Sequence, residues 1–177
     1  MDKKAFRKDC LKRLRKTAVL GSYTKDKNIS SLLYRHIIKN NAQNVMLYLP
    51  LAMEVNLYPL ILRLRKEKRK LYVPFMEGAS FRLVRYRLPL FQKKFGIKEP
   101  KDSKQYRKKQ IDIAIVPIVG VDVTRRRVGF GKGMYDRFFE KNKKNIKQVV
   151  FVARGLCYSK EIVTDSYDIK ADMILTP

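Results

Sequence analysis

The fold is decided by an apolar strand and the glycine-rich loop that follows it. The apolar run is Ile111-Asp-Ile-Ala-Ile-Val-Pro117, and the loop is Arg125-Arg-Arg-Val-Gly-Phe-Gly-Lys-Gly-Met-Tyr-Asp-Arg137. A nearly continuous apolar run is typical of a strand that is buried on both faces of a parallel sheet. A loop beyond the carboxyl end of such a strand lies where α/β proteins bind their ligands. The stretch therefore predicts an α/β fold with a ligand site at this loop.

The alternating glycines of residues 129–133 make the loop a candidate phosphate-binding loop. Because glycine has no Cβ and accepts positive φ, backbone N–H groups of the loop can approach phosphate oxygens closely. The cations that could neutralise phosphate are Arg125, Arg126, Arg127 and Lys132. Asp136 follows directly and could hold a divalent metal. The spacing matches neither a Walker loop nor a Rossmann fingerprint, and a lone loop of this kind is more often only a tight turn.

Helices and strands alternate along the rest of the chain. Apolar periodicity predicts helices over residues 2–16 and 30–40, around Leu57–Leu64, and from Met134 to about Asn142. The predicted strands are 45–50, 71–75, 81–87, 111–116, 148–153 and 173–175. Residues 91–110 are polar and basic, and predict a long loop. This order predicts one three-layer α/β domain over residues 1–177, with a largely parallel central sheet and helices on both faces.

Length and composition narrow the class of protein. A chain of 177 residues can bury a full core as one domain. No run of about 18 apolar residues is present, and the charged amino terminus lacks the apolar segment of a signal peptide. Cys10 and Cys157 do not have metal-site spacing, so we expect both thiols to be reduced and packed in a cytoplasmic protein.

The formal net charge is +25, from 41 Lys and Arg against 16 Asp and Glu. Such a protein attracts polyanions, so a basic nucleic-acid-binding module is one alternative function. The cations are spread along the chain, however, and no RNP, zinc-finger or KH motif accompanies them. We therefore expect a mostly solvated basic surface, no specific nucleic-acid partner, and some attraction of anionic ligands.

The segment Val116–Arg137 resembles the signature of the 5-formyltetrahydrofolate cyclo-ligase family, also named methenyltetrahydrofolate synthetase. That signature has a proline, a few residues, an aspartate, and then R-[LIV]-G-x-G-x-G-[YF]-Y-D-R. Three further family motifs occur in the family's order: Lys3-x-x-x-Arg7, Gly96-Ile-Lys-Glu-Pro100 and Asp168-Ile-Lys-Ala-Asp172. Because these motifs cover nearly the whole chain, the resemblance is strong.

The resemblance implies that ATP and 5-formyltetrahydrofolate give 5,10-methenyltetrahydrofolate, ADP and phosphate, with Mg²⁺. The formyl oxygen attacks the γ-phosphorus, N10 closes the ring, and phosphate leaves. Such phosphoryl transfer needs positioning and charge neutralisation more than a protein nucleophile. The single histidine, His36, completes no convincing nucleophile system, which agrees with this chemistry. We expect a cytoplasmic monomer whose anionic ligands are ATP and a folate that can carry a polyglutamate tail.

The resemblance also assigns residues to the site. Those implied to contact ATP are Lys3, Lys4, Arg7, Arg127, Val128, Gly129, Phe130, Gly131, Lys132, Gly133, Met134 and Tyr135. Those implied to contact folate are Leu49, Glu54, Phe130, Gly131, Lys132, Gly133 and Met134. Asp136 and Asp168 would hold Mg²⁺. The candidates for catalysis are Lys132, which would bridge the transferring phosphoryl and the formyl oxygen, and Arg127.

Plainer interpretations of these residues stay open at this point. Glu54 would be stabilised equally well as an acid at a helix amino terminus. Asp168 would serve as a turn acid, and Asp136 would pair with Arg137. Lys3 and Arg7, four residues apart, would form a solvated stripe on one face of the predicted helix.

Two positions depart from the family pattern. Met134 stands where the family often has an aromatic residue, and Tyr167 stands where it has a histidine. A flexible methionine can still pack against a flat pterin. The departure nevertheless leaves a second alternative, a catalytically weak paralogue that binds a folate or a nucleotide without cyclising it.

Overall fold

A computed structural model describes residues 2–19, 21–93, 96–101 and 110–177. The helices are α1 (Lys3–Val19), α2 (Ser22–Lys39), α3 (Tyr58–Lys66) and α4 (Met134–Asn142). The strands are β1 (Asn44–Met46), β2 (Lys70–Glu77), β3 (Ser80–Arg85), β4 (Leu90–Gln92), β5 (Lys98–Pro100), β6 (Ile111–Pro117), β7 (Gly120–Asp122), β8 (Arg127–Val128), β9 (Ile146–Val152), β10 (Tyr158–Ser159) and β11 (Met173–Leu175).

The central sheet has six strands in the order β11-β9-β6-β1-β2-β3. All neighbours run parallel except β3, which is antiparallel to β2 at one edge. Strand β6 lies inside the sheet, where Ile113 is opposite Val45 of β1 and Gln148 of β9. The predicted, largely parallel sheet around residues 111–117 is therefore confirmed.

Helices cover both faces of this sheet, because β6 presents apolar side chains to each. Ile113 and Ile115 pack in one cluster with apolar residues of α2 and α3. Ala114 and Val116 pack in another with Phe138 of α4. Full burial of each large apolar side chain contributes about 1.5–3 kcal/mol, so the packing of helices on both faces stabilises the sheet. The predicted three-layer arrangement is confirmed.

Helix α1 packs at one end of the molecule rather than on the central sheet. Phe6, Cys10 and Leu14, one turn apart, form a third apolar cluster with Val119 and Val128. Val119 directly precedes β7 and Val128 lies in β8, and both strands belong to a small sheet with the order β10-β7-β8. The packing places the amino terminus of α1 beside the loop that follows β8, so the helix predicted over residues 2–16 is positioned to contribute to that loop's site.

The structure corrects the prediction for the cysteines. Cys10 and Cys157 form a disulfide with Cα atoms 5.6 Å apart, although 147 positions separate them in the sequence. They were expected to be reduced, and this expectation is wrong because the docking of α1 on the small sheet brings the two thiols together. The bond ties α1 to the segment before β10.

Several element boundaries also differ from the prediction. Helix α2 begins at Ser22, and β1 ends at Met46 instead of continuing to residue 50. The predicted loop 91–110 contains β4 and β5, which pair antiparallel; residues 94, 95 and 102–109 lie outside the described residues. The buried carboxylate of Glu99 accepts a hydrogen bond from the Met76 N–H over 2.8 Å, which fixes this hairpin to β2. None of the helices in the described ranges has the length and apolar character of a membrane span.

Candidate active site

Two cavities meet at the glycine-rich loop. The first, of about 470 Å³, combines cations with carboxylates, including Lys3, Arg7, Lys132, Asp136 and Asp168. The second, of about 570 Å³, is mostly apolar, and its lining includes Tyr48, Leu49, Phe81, Phe130, Met134 and Tyr135. Arg127, Lys132, Gly133 and Arg137 line both cavities. A ligand in one cavity would therefore face a ligand in the other across a wall of cations.

The loop has the backbone conformation that its glycines permit. Gly131 has φ +97° and Gly133 has φ +62°, both in the left-handed region that side-chain-bearing residues rarely adopt. Helix α4 begins directly after Gly133, so the positive end of its dipole lies beside the cationic cavity. This arrangement suits an anion such as phosphate.

The residues predicted to bind ATP do not all lie at the cationic cavity. Gly129, Gly131 and Lys132 line it, whereas Phe130, Met134 and Tyr135 line the apolar cavity. Val128 is buried against α1, and Lys4 is exposed on α1. The direct contact of Lys4 and Val128 with ATP stays a prediction without a cavity contact to support it.

Arg127 is a buried cation fixed between the two cavities. Its Nε donates to the carbonyl of Pro117 over 3.0 Å, and its guanidinium lies 4.8 Å from the centre of the Tyr135 ring. Burial lowers the pKa of Arg127, and the charge of Asp136 is the chief opposing influence. A guanidinium remains protonated in proteins despite such a shift. A Cβ on residue 129 would collide with this guanidinium. Arg127 can therefore occupy its observed position because residue 129 is a glycine.

Helix α1 brings two further cations to the loop, as its four-residue spacing predicts. Arg7 Nε donates to the Gly129 carbonyl over 2.9 Å. Lys3 Nζ donates to Asp168 and, over 2.9 Å, to Asp165. Both side chains also line the cationic cavity, so they form part of a built site and not a solvated stripe.

The two carboxylates predicted to hold a metal line the same cavity. Oδ1 of Asp136 is buried and has no hydrogen-bond partner within the described part of the chain. Arg137 donates to the Ala79 carbonyl instead of pairing with it. Among the described residues no group of three or more His, Cys, Asp or Glu side chains could hold a metal. An orphaned carboxylate oxygen fits Mg²⁺, which takes few protein ligands and completes its shell with phosphate oxygens and water.

Glu54 is a buried carboxyl at the apolar cavity. Its Oε2 accepts a hydrogen bond from the Leu51 N–H over 2.8 Å. Burial raises the pKa of Glu54 from 4.5 to about 7, although that hydrogen bond and the charges of Arg127 and Arg154 oppose the shift. Helix α3 begins only at Tyr58, so Glu54 is not an acid of a first helical turn. The carboxyl is instead available to a ligand in the cavity.

Sequence reasoning missed the residues that support Glu54. Arg154, directly beyond β9, makes a two-pronged ion pair with Asp26 of α2, with N–O distances of 2.7 and 2.8 Å. Its Nη1 donates to the Ala52 carbonyl over 3.0 Å and so fixes the turn that carries Glu54. Since Asp26 and Arg154 are 128 positions apart, no local pattern could have revealed the pair. Asp165, by contrast, stands three positions before Asp168 and could have been noticed.

The fold and the two cavities define a class of α/β protein in which a phosphate-type loop and an apolar ligand cavity share one wall. Comparison with known proteins then identifies the family. The model of the 5-formyltetrahydrofolate cyclo-ligase family matches residues 1–177, so the chain belongs to that family.

Individual relatives agree with this membership. A 5-formyltetrahydrofolate cyclo-ligase of Haemophilus influenzae is 26% identical over 161 residues, which cover 85% of this chain and 84% of the relative. The solved 5,10-methenyltetrahydrofolate synthetase of Aquifex aeolicus is 31% identical with a TM-score of 0.78, covering 99% of this chain and 90% of that one. The Mycoplasma pneumoniae synthetase structure, 23% identical with a TM-score of 0.73 and 98% coverage of both chains, shares the fold. The predicted family, fold and enzyme class are thereby confirmed.

Proposed function

We propose that the protein catalyses the ATP- and Mg²⁺-dependent cyclisation of 5-formyltetrahydrofolate to 5,10-methenyltetrahydrofolate, with release of ADP and phosphate. The observation that carries the proposal is the wall of Arg127, Lys132 and Gly133 that both cavities share. ATP phosphates in the cationic cavity and a pterin in the apolar cavity would meet at this wall. The formyl oxygen and the γ-phosphorus would then be held for attack, as phosphoryl transfer requires.

The cations at the wall have different proposed roles. Arg127 is buried and fixed, so it supplies a preorganised positive charge where the phosphoryl is transferred. Lys132 is exposed on the loop between Gly131 and Gly133 and can follow the phosphoryl as charge develops on it. Lys3 and Arg7 would complete the phosphate site from α1.

Asp136 and Asp168 would hold the magnesium ion. Bound there, the metal would neutralise phosphate charge during transfer. The buried, unpartnered Oδ1 of Asp136 is the oxygen best placed to bind it, because no described side chain competes for this atom. Asp168 forms an ion pair with the Lys3 ammonium group in the free protein, and this ion pair would have to rearrange when the metal binds.

The apolar cavity would hold the folate. Leu49, Phe130 and Met134 give apolar walls, and the flexible thioether of Met134 can pack on the flat pterin. The Glu54 carboxylate can accept paired hydrogen bonds from an aminopyrimidine edge. The anionic tail of the folate, including any polyglutamate, would be attracted by the net charge of +25.

The direct test mixes the protein with MgATP and 5-formyltetrahydrofolate and follows methenyl absorbance in the near ultraviolet. We expect product only when ATP, Mg²⁺ and folate are all present. Lys132→Met should lose most activity, whereas Lys144→Met, at an exposed lysine outside both cavity linings, should retain it. A folded protein that binds MgATP and the folate but forms no product would be the weak paralogue. Tight binding to RNA or DNA with a steep salt slope would favour the basic nucleic-acid-binding module.

The remaining proposals concern the state of the protein. We propose one cyclo-ligase domain over residues 1–177, a monomer, and a cytoplasmic location. The Cys10–Cys157 disulfide is an observation against the cytoplasmic location, because such bonds are rare in a reducing compartment. Rapid alkylation of free thiols in the cells that make the protein tests the location. Alkylation of both cysteines would support a cytoplasmic location, and protein with neither cysteine alkylated would contradict it. Light scattering of the purified chain tests the monomer.

A further inference from the structure

The ammonium group of Lys3 lies between two carboxylates at the edge of the cationic cavity. Its Nζ donates to Asp168 and, over 2.9 Å, to Oδ2 of Asp165. Lys3 is therefore a charged group that both acids hold in place.

The two acids that hold Lys3 differ in their exposure. The Asp168 side chain is 3% exposed and lines the cavity, whereas that of Asp165 is 49% exposed and is not part of the cavity wall. Tyr167 supports Asp165, because its hydroxyl donates to Oδ2 over 2.8 Å. The Tyr167 ring also lies 5.3 Å from Lys3 Nζ. The Asp165 side chain therefore acts on the cavity through its contacts to Lys3 and Tyr167, and the Asp165 N–H donates to Asp168 Oδ2 over 2.7 Å.

The proposed reaction requires Lys3 and Asp168 to separate. Asp168 is to hold the metal and Lys3 is to contact phosphate, and two cations on one carboxylate repel each other. We propose, resting on the proposed function, that Lys3 is the counter-ion of Asp168 until metal arrives with nucleotide, and that Asp165, supported by Tyr167, is the positioning residue that then keeps Lys3 at the cavity.

The geometry explains why a second acid is useful. A free lysine side chain has many rotamers, and ordering it on a phosphate costs conformational entropy. Asp165 already restricts Lys3 to positions near the cavity, so less entropy is lost when phosphate binds. The Asp165 carboxylate can keep this role while Asp168 binds metal, because its contacts to Lys3 and Tyr167 do not involve the Asp168 carboxylate. The two acids are joined separately, by the Asp165 N–H that donates to Asp168 Oδ2 over 2.7 Å.

The first part of the test uses calorimetry on the full chain, with Mn²⁺ alone and MgATP as separate probes. Lys3→Met keeps the stem and deletes the charge. Mn²⁺ alone should bind about threefold tighter or more, because Asp168 has lost its competing cation. MgATP should bind about tenfold weaker or more, because a charge-assisted contact to phosphate is lost. Unchanged or weaker Mn²⁺ binding would overturn the counter-ion role of Lys3.

The second part separates the tether from the charge of Asp165. Asp165→Ala should weaken MgATP binding and raise the KM for ATP about two- to fivefold, with kcat at saturation retained. Asp165→Asn keeps a hydrogen-bond acceptor and should recover part of this loss. The matched control is Asp9→Ala, because the Asp9 side chain is 43% exposed and pairs with Arg13 on the same helix over 2.7 Å. Unchanged or tighter MgATP binding in Asp165→Ala would overturn the positioning role.

These outcomes differ from a failure of the proposed function. If the wild-type protein neither binds MgATP nor forms the methenyl product, the proposed function fails and this inference fails with it. If the wild-type protein does both and Asp165→Ala behaves like Asp9→Ala, only the positioning role is lost.

Discussion

The raised pKa of Glu54 predicts a folate affinity that depends on pH. Burial brings this pKa to about 7, so the ionised fraction is roughly one tenth at pH 6 and nine tenths at pH 8. If only the carboxylate accepts the paired hydrogen bonds of the aminopyrimidine, apparent affinity scales with that fraction. The Kd for 5-formyltetrahydrofolate should therefore fall about tenfold between pH 6 and pH 8. Affinity rises with pH because raising the pH ionises the carboxyl that binds, and the raised pKa of Glu54 places this change between pH 6 and pH 8.

Calorimetry at several pH values between 6 and 8, without ATP, measures this dependence. Glu54→Gln cannot ionise, so its affinity should be flat with pH and should lie below that of the wild-type protein at pH 8. Glu67→Gln is the matched control, because this exposed acid at the end of α3 pairs with Arg63 and should leave the profile unchanged. A flat wild-type profile, or an affinity that falls as the pH rises, would refute the proposed contact between the Glu54 carboxylate and folate.

Three further substitutions test the wall and the metal site. Asp136→Asn should lower turnover about a hundredfold or more by weakening Mg²⁺ binding; unchanged turnover at limiting Mg²⁺ would remove Asp136 from the site. Lys132→Met should lower kcat by roughly 10²–10³ with a smaller change in KM; a raised KM with intact kcat would mean that Lys132 only attracts anions. Gly129→Ala should displace the Arg127 guanidinium, reduce kcat/KM and destabilise the fold by about 1–3 kcal/mol in urea unfolding; wild-type stability and activity would contradict the observed packing.

The parts of the fold that sequence reasoning predicted correctly have strong local signals. Helix α4 occupies Met134–Asn142 as predicted, because a glycine precedes it and its apolar residues recur at helical spacing. Strand β6 extends the predicted 111–116 by one residue, since a continuous apolar run has little alternative in a parallel sheet. The hairpin of β4 and β5 was missed because its three-residue strands depend on a contact with β2.

The candidate site also has a part that its sequence motifs predicted and a part that they could not predict. The motif residues Lys3, Arg7, Asp136 and Asp168 line one cavity, as their joint occurrence implied. The features that the sequence could not reveal are contacts between segments that are distant in the sequence and close in space. The Asp26–Arg154 pair and the Cys10–Cys157 bond each join segments more than a hundred positions apart. Likewise, the pKa of Glu54 follows from burial, which no motif encodes.

Arg127 is the residue at which the fold most directly determines the proposed chemistry. Burying a guanidinium is costly unless its charge and donors are met. Here the Pro117 carbonyl accepts from Nε, the Tyr135 ring lies against the guanidinium, the charges of Asp136 and Glu54 are nearby, and the bare backbone of Gly129 leaves the space. A cation held this way needs no reorganisation when phosphoryl charge develops, which is the condition for strong electrostatic stabilisation.

Lys132 complements this fixed charge. It lies on the same wall but is exposed on a loop whose glycines limit side-chain crowding. An ammonium there is a mobile point charge, whereas a guanidinium is a planar fork that suits a fixed position. In the proposed reaction the phosphoryl moves from ATP to the formyl oxygen, so the charge to be stabilised changes its position. One fixed cation and one mobile cation on a shared wall would stabilise that charge at both ends of its path.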